Sequence, residues 1–283
     1  MMHLWRILDD AIDRLNANEG WAIASHIALS ALMALFPFLI FVTALAASLF
    51  GSLELADETA RILLEAWPEV IAEPIEREIR NVMRGLRGDI LTFAVAIAIF
   101  FASSGIESLR IGLNRAYGVP ETRPWWLLRL ESIAYVIFGA AALLALSFLV
   151  VLYPLMWTTV IQYASWFERF GYLLEFVRLG AAAVVLVVAL FIAHWWLPAG
   201  SRKLATIWPG IVVTLLLWLG AGIAFGRYLA DFAYAYVTYY AGLASVMAAL
   251  VFLYLVAMIF IFGAEVNASI ARAHKRAAAR RKR

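Results

Sequence analysis

The sequence predicts an all-α fold: a polytopic membrane helical bundle with six transmembrane helices and an amphipathic helical loop between the first and the second. Three observations predict it. Of the 283 residues, 65% are hydrophobic and 15% are charged, with a mean hydropathy of +0.85, whereas soluble domains are about half apolar and a quarter charged. Six segments are long enough to cross a bilayer, which takes about 20 mostly apolar residues. Lysine and arginine concentrate in alternate loops, as they do in membrane proteins.

The six apolar segments comprise residues 21–50, 90–111, 133–153, 176–197, 207–225 and 243–264. We expect each of them to be helical, because a helix satisfies its backbone polar groups within a single segment. The first is too long for the apolar core of a cleavable signal peptide and lacks a basic region before it, so we expect it to be retained. Together the segments predict one integral-membrane domain over residues 1–283.

Residues 51–89 are the one long segment between predicted spans, and they lie on the outer side. Their second half repeats apolar residues at helical spacing, with charged residues between them, at Ile75, Ile79, Val82, Met83 and Leu86. This pattern predicts an amphipathic helix, and a shorter one precedes it. Such helices would lie on the outer leaflet or cap the bundle, and residues 53–88 could also dock a partner on that side.

Charge predicts that both termini lie in the cytoplasm. Most of the 23 lysine and arginine residues fall before the first span, after the second, after the fourth and after the sixth. The basic tail, residues 268–283, would also anchor the chain to anionic lipid. Aromatic belts support this orientation. The inner belt comprises Trp125, Trp126, Trp195, Trp196 and Trp208, and the outer loop before the last span holds Tyr228, Tyr234, Tyr236, Tyr239 and Tyr240.

The residue inventory excludes several kinds of site. There is no cysteine, and hence no disulfide, thiolate nucleophile or cysteine-bound metal. The four histidines do not share the spacing of metal ligands on a helix. No GxxxxGK[ST] sequence is present to cradle a phosphate chain. We therefore expect no catalytic residue, no cofactor and no metal.

Polar side chains inside the spans are the candidates for function, because each costs free energy in hydrocarbon unless it is paired or wetted. The second span carries four of them three or four residues apart, which places them on one helical face. They are Ser103, Glu107, Arg110 and Asn114. Glu107 and Arg110 are spaced to pair along the helix. Such a stripe either joins helices to one another or lines a polar cavity.

Counting residues along the spans places four titratable groups at one level on the inner side. They are His26, Glu107, His194 and Glu265. Each histidine, taken alone, is typical of a hydrogen-bonded packing residue. We predict that the four meet in an inward-facing polar vestibule. With their polar neighbours, the predicted vestibule comprises His26, Ser30, Ser103, Glu107, Arg110, Asn114, His194, Glu265 and Asn267. In the fifth span, Gly222 and Gly226 offer a close helix contact.

Four stretches carry a resemblance to a known family. They are ASHIALSALMALFPFLIF (24–41), LNRAYGVPETRPWW (113–126), WPGIVVTLLLWLGAGIAFGRYL (208–229) and FGAEVNA (262–268). They resemble the first span, the loop after the second span, the fifth span and the closing motif of the YihY / virulence factor BrkB family. The resemblance implies a bacterial inner-membrane protein of six spans, whose outer loop is periplasmic. The stretch HWWLPAGSRK (194–203) departs from the family pattern, which has a tyrosine and an asparagine around the proline.

These observations favour a translocator of a lipid or an amphiphilic solute, with membrane lipids as partners. The alternative is a non-catalytic envelope scaffold that docks a periplasmic partner on residues 53–88. Some members of the family carried an old ribonuclease label, but a metal nuclease needs clustered carboxylates or histidines. Nine of the 20 acidic residues lie in residues 51–89, on the outer side, which is the wrong side for RNA. We expect no nucleic-acid partner and no enzymatic activity.

Overall fold

The computed structural model describes residues 2–50, 88–147, 171–240 and 244–281, together with residues 64, 72–73, 76–77 and 149. These residues lie in helices, turns or loops, and none of them forms a strand. The α-helices are α1 (Met2–Ala17), α2 (Gly20–Phe50), α3 (Gly88–Tyr117), α4 (Trp125–Ser147), α5 (Gly171–Trp195), α6 (Trp208–Tyr240) and α7 (Ala244–Arg281), and a 3-10 helix covers Leu204–Thr206. The predicted all-α class is confirmed.

Five described helices are long and apolar enough to cross a membrane. They comprise Val95–Tyr117, Trp125–Leu146, Gly171–Trp195, Trp208–Leu229 and Val246–Ala277, and they correspond to the second to sixth predicted spans. In α2, the apolar helix Gly20–Leu35 is shorter. The first of the six spans therefore stays a prediction. So does the periplasmic loop, because most of residues 51–89 lie outside the described residues.

Two helices run well past the ends predicted from hydropathy. Helix α6 continues to Tyr240, so the tyrosines from Tyr234 onward lie on a helix rather than in an irregular loop. Their placement on the outer side stays a prediction. Helix α7 continues to Arg281 and includes most of the predicted basic tail. For α7 the physical reason is that alanine, arginine and lysine are strong helix formers, so the helix does not have to end where its apolar run ends.

The chain forms two compact units. The first comprises residues 1–35, 102–132 and 191–283, and the second comprises residues 36–101 and 133–190. All nine residues of the predicted vestibule belong to the first unit. In the second unit, Phe100 and Phe101 pack edge to face, with ring centroids 5.9 Å apart, and Arg178 pairs with Glu175.

In the first unit, α6 and α7 approach to backbone contact at two glycines. A methyl group at Gly210 would collide with the carbonyl oxygen of Gly263, and one at Gly263 would lie 2.8 Å from the carbonyl oxygen of Gly210. Such an approach requires residues without side chains. The predicted contact at Gly222 and Gly226 was wrong, because a methyl group there would meet no other atom within 4 Å in the described part of the chain.

Helix α1 packs on α7. Ala11 and Leu15 are buried on α1, whereas Trp5 is 73% exposed. Arg272 of α7 donates a hydrogen bond to Asp10 of α1 at 3.0 Å. The helix therefore has one face for the protein and one for its surroundings, and it is held to the last helix by an ion pair.

Candidate functional site

Asn267, in the closing motif FGAEVNA, connects the end of the chain to the start of α6. The first N–H groups of a helix have no partner within the helix. Asn267 supplies one, because its Oδ1 accepts a hydrogen bond of 2.6 Å from the backbone N–H of Gly210. The Asn267 side chain is 1% exposed. The missing Cβ of Gly210 is what lets this amide approach the helix so closely.

The other end of the same amide reaches an aromatic pair. Asn267 Nδ2 donates a hydrogen bond of 3.3 Å to the hydroxyl of Tyr117. That hydroxyl lies 3.1 Å from Nδ1 of His194, and the guanidinium carbon of Arg202 lies 4.4 Å from the centre of the Tyr117 ring. Tyr117, His194, Asn267 and Arg202 are called the aromatic–amide cluster below. It joins α3, α5 and α7 to the loop before α6.

His194 is fully buried and packs on Phe260, with ring centroids 4.6 Å apart. Since the Tyr117 hydroxyl accepts from Asn267, we assign its own proton to the bond with Nδ1 of His194. The imidazole proton then lies on Nε2. That nitrogen is buried and has no hydrogen-bond partner among the described residues. The predicted packing role of His194 thus accounts for one of its two ring nitrogens.

Asn114 makes a second amide bridge, from the end of α3. Its Oδ1 accepts a hydrogen bond of 2.7 Å from the backbone N–H of Ala199, and its Nδ2 donates one of 3.0 Å to Glu121. The loop that follows α5 is thereby fixed to the loop that follows α3.

A charged triad lies beside this bridge. Arg123 pairs with Glu121 and with Glu131, each at 2.7 Å, and it donates a third bond of 3.1 Å to the carbonyl of Leu197. Hydrogen bonds from the Arg123 side chain lower the pKa of Glu121 from its ordinary 4.5 to about 2. The same bonds raise the pKa of Arg123.

The depressed pKa of Glu121 predicts a loss of stability in acid. Because the folded pKa lies below the unfolded one, this contribution is complete above about pH 4.5 and is lost as the pH falls towards 2. We expect Glu121→Gln to lack this part of the pH dependence, whereas Glu19→Gln, an exposed change elsewhere, keeps it. Thermal unfolding of the purified protein between pH 7 and pH 2 measures the difference. Parallel curves for the wild type and Glu121→Gln would contradict the prediction.

The polar stripe on α3 binds to α4. Glu107 pairs with Arg129 at 2.8 Å, and Arg110 donates hydrogen bonds to the carbonyl of Leu128, at 2.8 Å, and to the hydroxyl of Ser132. The expected pairing of Glu107 with Arg110 along the helix is therefore replaced by bonds across two helices. Glu107 and Arg110 do lie on the same side of α3, as predicted, but each side chain bonds to polar groups on α4.

Glu265 is completely buried and stands at the junction of α1 and α7. Its Oε1 accepts a hydrogen bond of 2.6 Å from Asn18. Its Oε2 lies 3.8 Å from Arg272 and accepts no hydrogen bond from the described residues. Arg272 also donates to Ser269 at 2.7 Å. The carboxylate is thus held by one amide and by one cation at a distance.

The remaining residues of the predicted vestibule do not all face the interior of the protein. Ser103 is fully buried. Ser30 is half-buried, and its carbonyl oxygen would lie 3.8 Å from a methyl group at Gly105. His26 is exposed, and no shared contact brings it to Glu265 or His194 among the described residues. Counting residues gave these side chains one depth, but not one direction.

Several members of the site were not singled out by the sequence argument. Tyr117, Glu121 and Arg123 lie in the stretch LNRAYGVPETRPWW, and Arg202 lies in HWWLPAGSRK. Asn18 precedes the first predicted span. Their signal was the density of polar residues in short segments next to the predicted spans. In the described residues, no group of three or more His, Asp or Glu side chains is placed to hold a metal ion.

Comparison with known proteins gives two matches. The family model described as virulence factor BrkB matches residues 11–283. The protein named "Putative ribonuclease-like protein YfkH" from Bacillus subtilis (strain 168) is 26% identical over 273 residues, which cover 95% of this chain and 95% of that protein. No solved structure matches the chain.

Proposed function

The chain belongs to the virulence factor BrkB family, and from this membership and the buried polar groups we propose that it translocates a lipid or an amphiphilic solute. The family and the five apolar helices make it a multi-pass membrane protein. Our proposal places it in the bacterial inner membrane, with α2 as a sixth span and both termini in the cytoplasm. The charge distribution along the sequence supports this orientation.

The observation that carries the proposal is the burial of Glu265. A carboxylate within an apolar helix costs several kcal/mol unless it is paired, so such residues commonly mark a pathway for a substrate, ion or proton. Glu265 has 0% exposure and only a partial set of partners.

Further polar groups extend from Glu265 within the first unit. Two residues along α7, Asn267 begins the aromatic–amide cluster, which ends at a buried His194. Polar groups from α1, α3, α5 and α7 thus lie among apolar helices. A polar headgroup moving along such groups would avoid hydrocarbon, while its acyl chains remain in lipid.

We predict that the purified protein, placed in liposomes, moves a fluorescent phospholipid from the inner to the outer leaflet. Bleaching by dithionite, which reaches only the outer leaflet, measures this movement, with and without an ion gradient. Glu265→Gln removes the buried negative charge and with it the charge-assisted hydrogen bond to Asn18. Such a bond contributes about 1.5–3 kcal/mol, so we expect the movement to slow about tenfold or more. The matched control is Glu19→Gln, because that side chain is 74% exposed.

Two results would count against the proposal. One is bleaching no greater than in protein-free liposomes. The other is equal movement by the wild type and by a Glu265→Gln protein that elutes and unfolds like the wild type. Size-exclusion profiles and thermal unfolding of both variants keep a folding defect apart from a transport defect.

We further propose that the chain is not a nuclease, although its relative carries a ribonuclease-like name. In the proposed orientation, 12 of the 20 acidic residues lie on the outer side, away from RNA, which supports this view. Degradation of RNA by the purified protein, abolished by a chelator, would overturn it. The scaffold alternative depends on residues 53–88, most of which lie outside the described residues.

A further inference from the structure

An open cavity of about 440 Å³ lies in the first unit, between the start of α4 and the loop after α5. We propose that it binds the zwitterionic headgroup of an aminophospholipid, with the phosphate beside Arg123 and the ammonium beside Glu131. The inference rests on the proposed function and names the substrate class. The volume falls in the range of small-molecule sites.

The first argument is the charge arrangement. Arg123 and Glu131 both line the cavity and are paired at 2.7 Å, so one cation and one anion are fixed side by side. A phosphoethanolamine group carries one phosphate charge and one ammonium charge a short distance apart. Arg123 also pairs with Glu121, so the three side chains together carry one net negative charge, and the ammonium of the headgroup would lie against it beside Glu131.

The second argument is the remaining hydrogen-bonding capacity. A guanidinium has five N–H donors, and the four bonds of Arg123 go to Glu121, twice, to Glu131 and to Leu197. One N–H on Nη1 has no acceptor among the described residues. Glu131 uses Oε2, and its Oε1 accepts no bond from the described residues. The pair thus keeps one donor for a phosphate and one acceptor for an ammonium.

The third argument is the position and rigidity of the cavity wall. Trp195 and Trp196, at the end of α5, line the cavity and are 45% and 60% exposed. Tryptophan at a span end is typical of headgroup depth. Arg202 ties down the loop behind them through the carbonyls of Trp195 and Pro198, each at 3.4 Å. Thr122 and Ser201 add hydroxyl groups to the lining.

The same features favour a primary ammonium over other headgroups. The free oxygen of Glu131 needs an N–H donor, which a trimethylammonium group lacks. A glycerol headgroup leaves its phosphate without a compensating cation, next to Glu131. We therefore expect phosphatidylethanolamine to bind more tightly than phosphatidylcholine and phosphatidylglycerol.

Native mass spectrometry of the full chain in detergent tests this order, with the three phospholipids carrying identical acyl chains. We expect phosphatidylethanolamine to bind about tenfold more tightly than either competitor, and Glu131→Gln to remove the preference. Ser201→Trp fills the cavity while both residues of the ion pair stay unchanged, and it is expected to reduce binding of all three. Glu19→Gln, exposed and remote from the cavity lining, is the matched control.

Equal binding of the three phospholipids would overturn the proposal. So would wild-type binding in both Glu131→Gln and Ser201→Trp. Soluble phosphoethanolamine binding in preference to the lipid would overturn the choice of a membrane lipid as occupant.

The liposome and mass-spectrometry results separate the two proposals. Selective binding that depends on Glu131, without movement of lipid between leaflets, would overturn the transport function and leave the headgroup site standing. Movement of lipid without any headgroup preference would overturn the site and leave the transport function standing.

Discussion

Gly210→Ala is expected to destabilise the protein by about 3 kcal/mol, through overpacking and the loss of a buried hydrogen bond. The new methyl group would collide with the carbonyl oxygen of Gly263 and would lie 2.5 Å from Nδ2 of Asn267. A backbone carbonyl cannot rotate away as a flexible side chain can. Helices α6 and α7 would have to separate, and Asn267 would lose the N–H of Gly210. Thermal unfolding in detergent, followed by tryptophan fluorescence, measures the loss.

Gly222→Ala is the matched control on the same helix. A methyl group there meets no atom within 4 Å among the described residues, and alanine is favoured over glycine in a helix by about 1 kcal/mol. We expect this variant to be as stable as the wild type or more stable. If both variants unfold at the wild-type temperature, the close crossing of α6 and α7 is not as described.

Asn267→Leu is expected to cost about 3 kcal/mol, because it leaves a buried donor without its acceptor at low dielectric. Leucine is similar in volume but can neither accept from Gly210 nor donate to Tyr117. The first turn of α6 would then lack its cap, while Tyr117 would keep its contacts with His194 and Arg202. We expect a lower unfolding temperature together with faster amide hydrogen exchange at the start of α6.

The control for this change is Asn16→Leu in α1. Asn16 accepts a hydrogen bond from Trp21, but that bond is exposed, and exposed substitutions usually change stability by less than about 0.5 kcal/mol. Equal destabilisation by the two leucine variants would show that the buried bonds of Asn267 contribute nothing particular.

Sequence reasoning reached the helices and the buried polar faces, because both depend on spacing within one segment. Ser103, Arg110 and Asn114 were predicted to share a face, and all three are buried. The hydrogen-bond partners of these side chains could not be predicted in the same way. Arg110 bonds to Ser132, 22 positions away, and Asn267 bonds to Gly210, 57 positions away. Helical periodicity carries no information about which helices are neighbours.

The depth of a residue along its helix also does not predict the direction in which its side chain points. His26 and Glu265 were placed at one level by counting residues, yet His26 is exposed and Glu265 is buried. A count fixes height along a helix, whereas burial depends on what packs beside it. Gly210 was overlooked for a similar reason: it follows a proline at the start of a helix, and nothing in the sequence marks it as the point where α7 crosses.

The bond between Asn18 and Glu265 has a consequence for biosynthesis. The two residues are 247 positions apart, so a ribosome working at about 5–20 residues per second needs roughly 10–50 seconds to make one after the other. Until α7 emerges, Asn18, the N–H of Gly210 and the hydroxyl of Tyr117 all await partners on that helix. The first unit is therefore completed last, and a nascent chain stopped before α7 would expose this unfinished surface to membrane quality-control proteases.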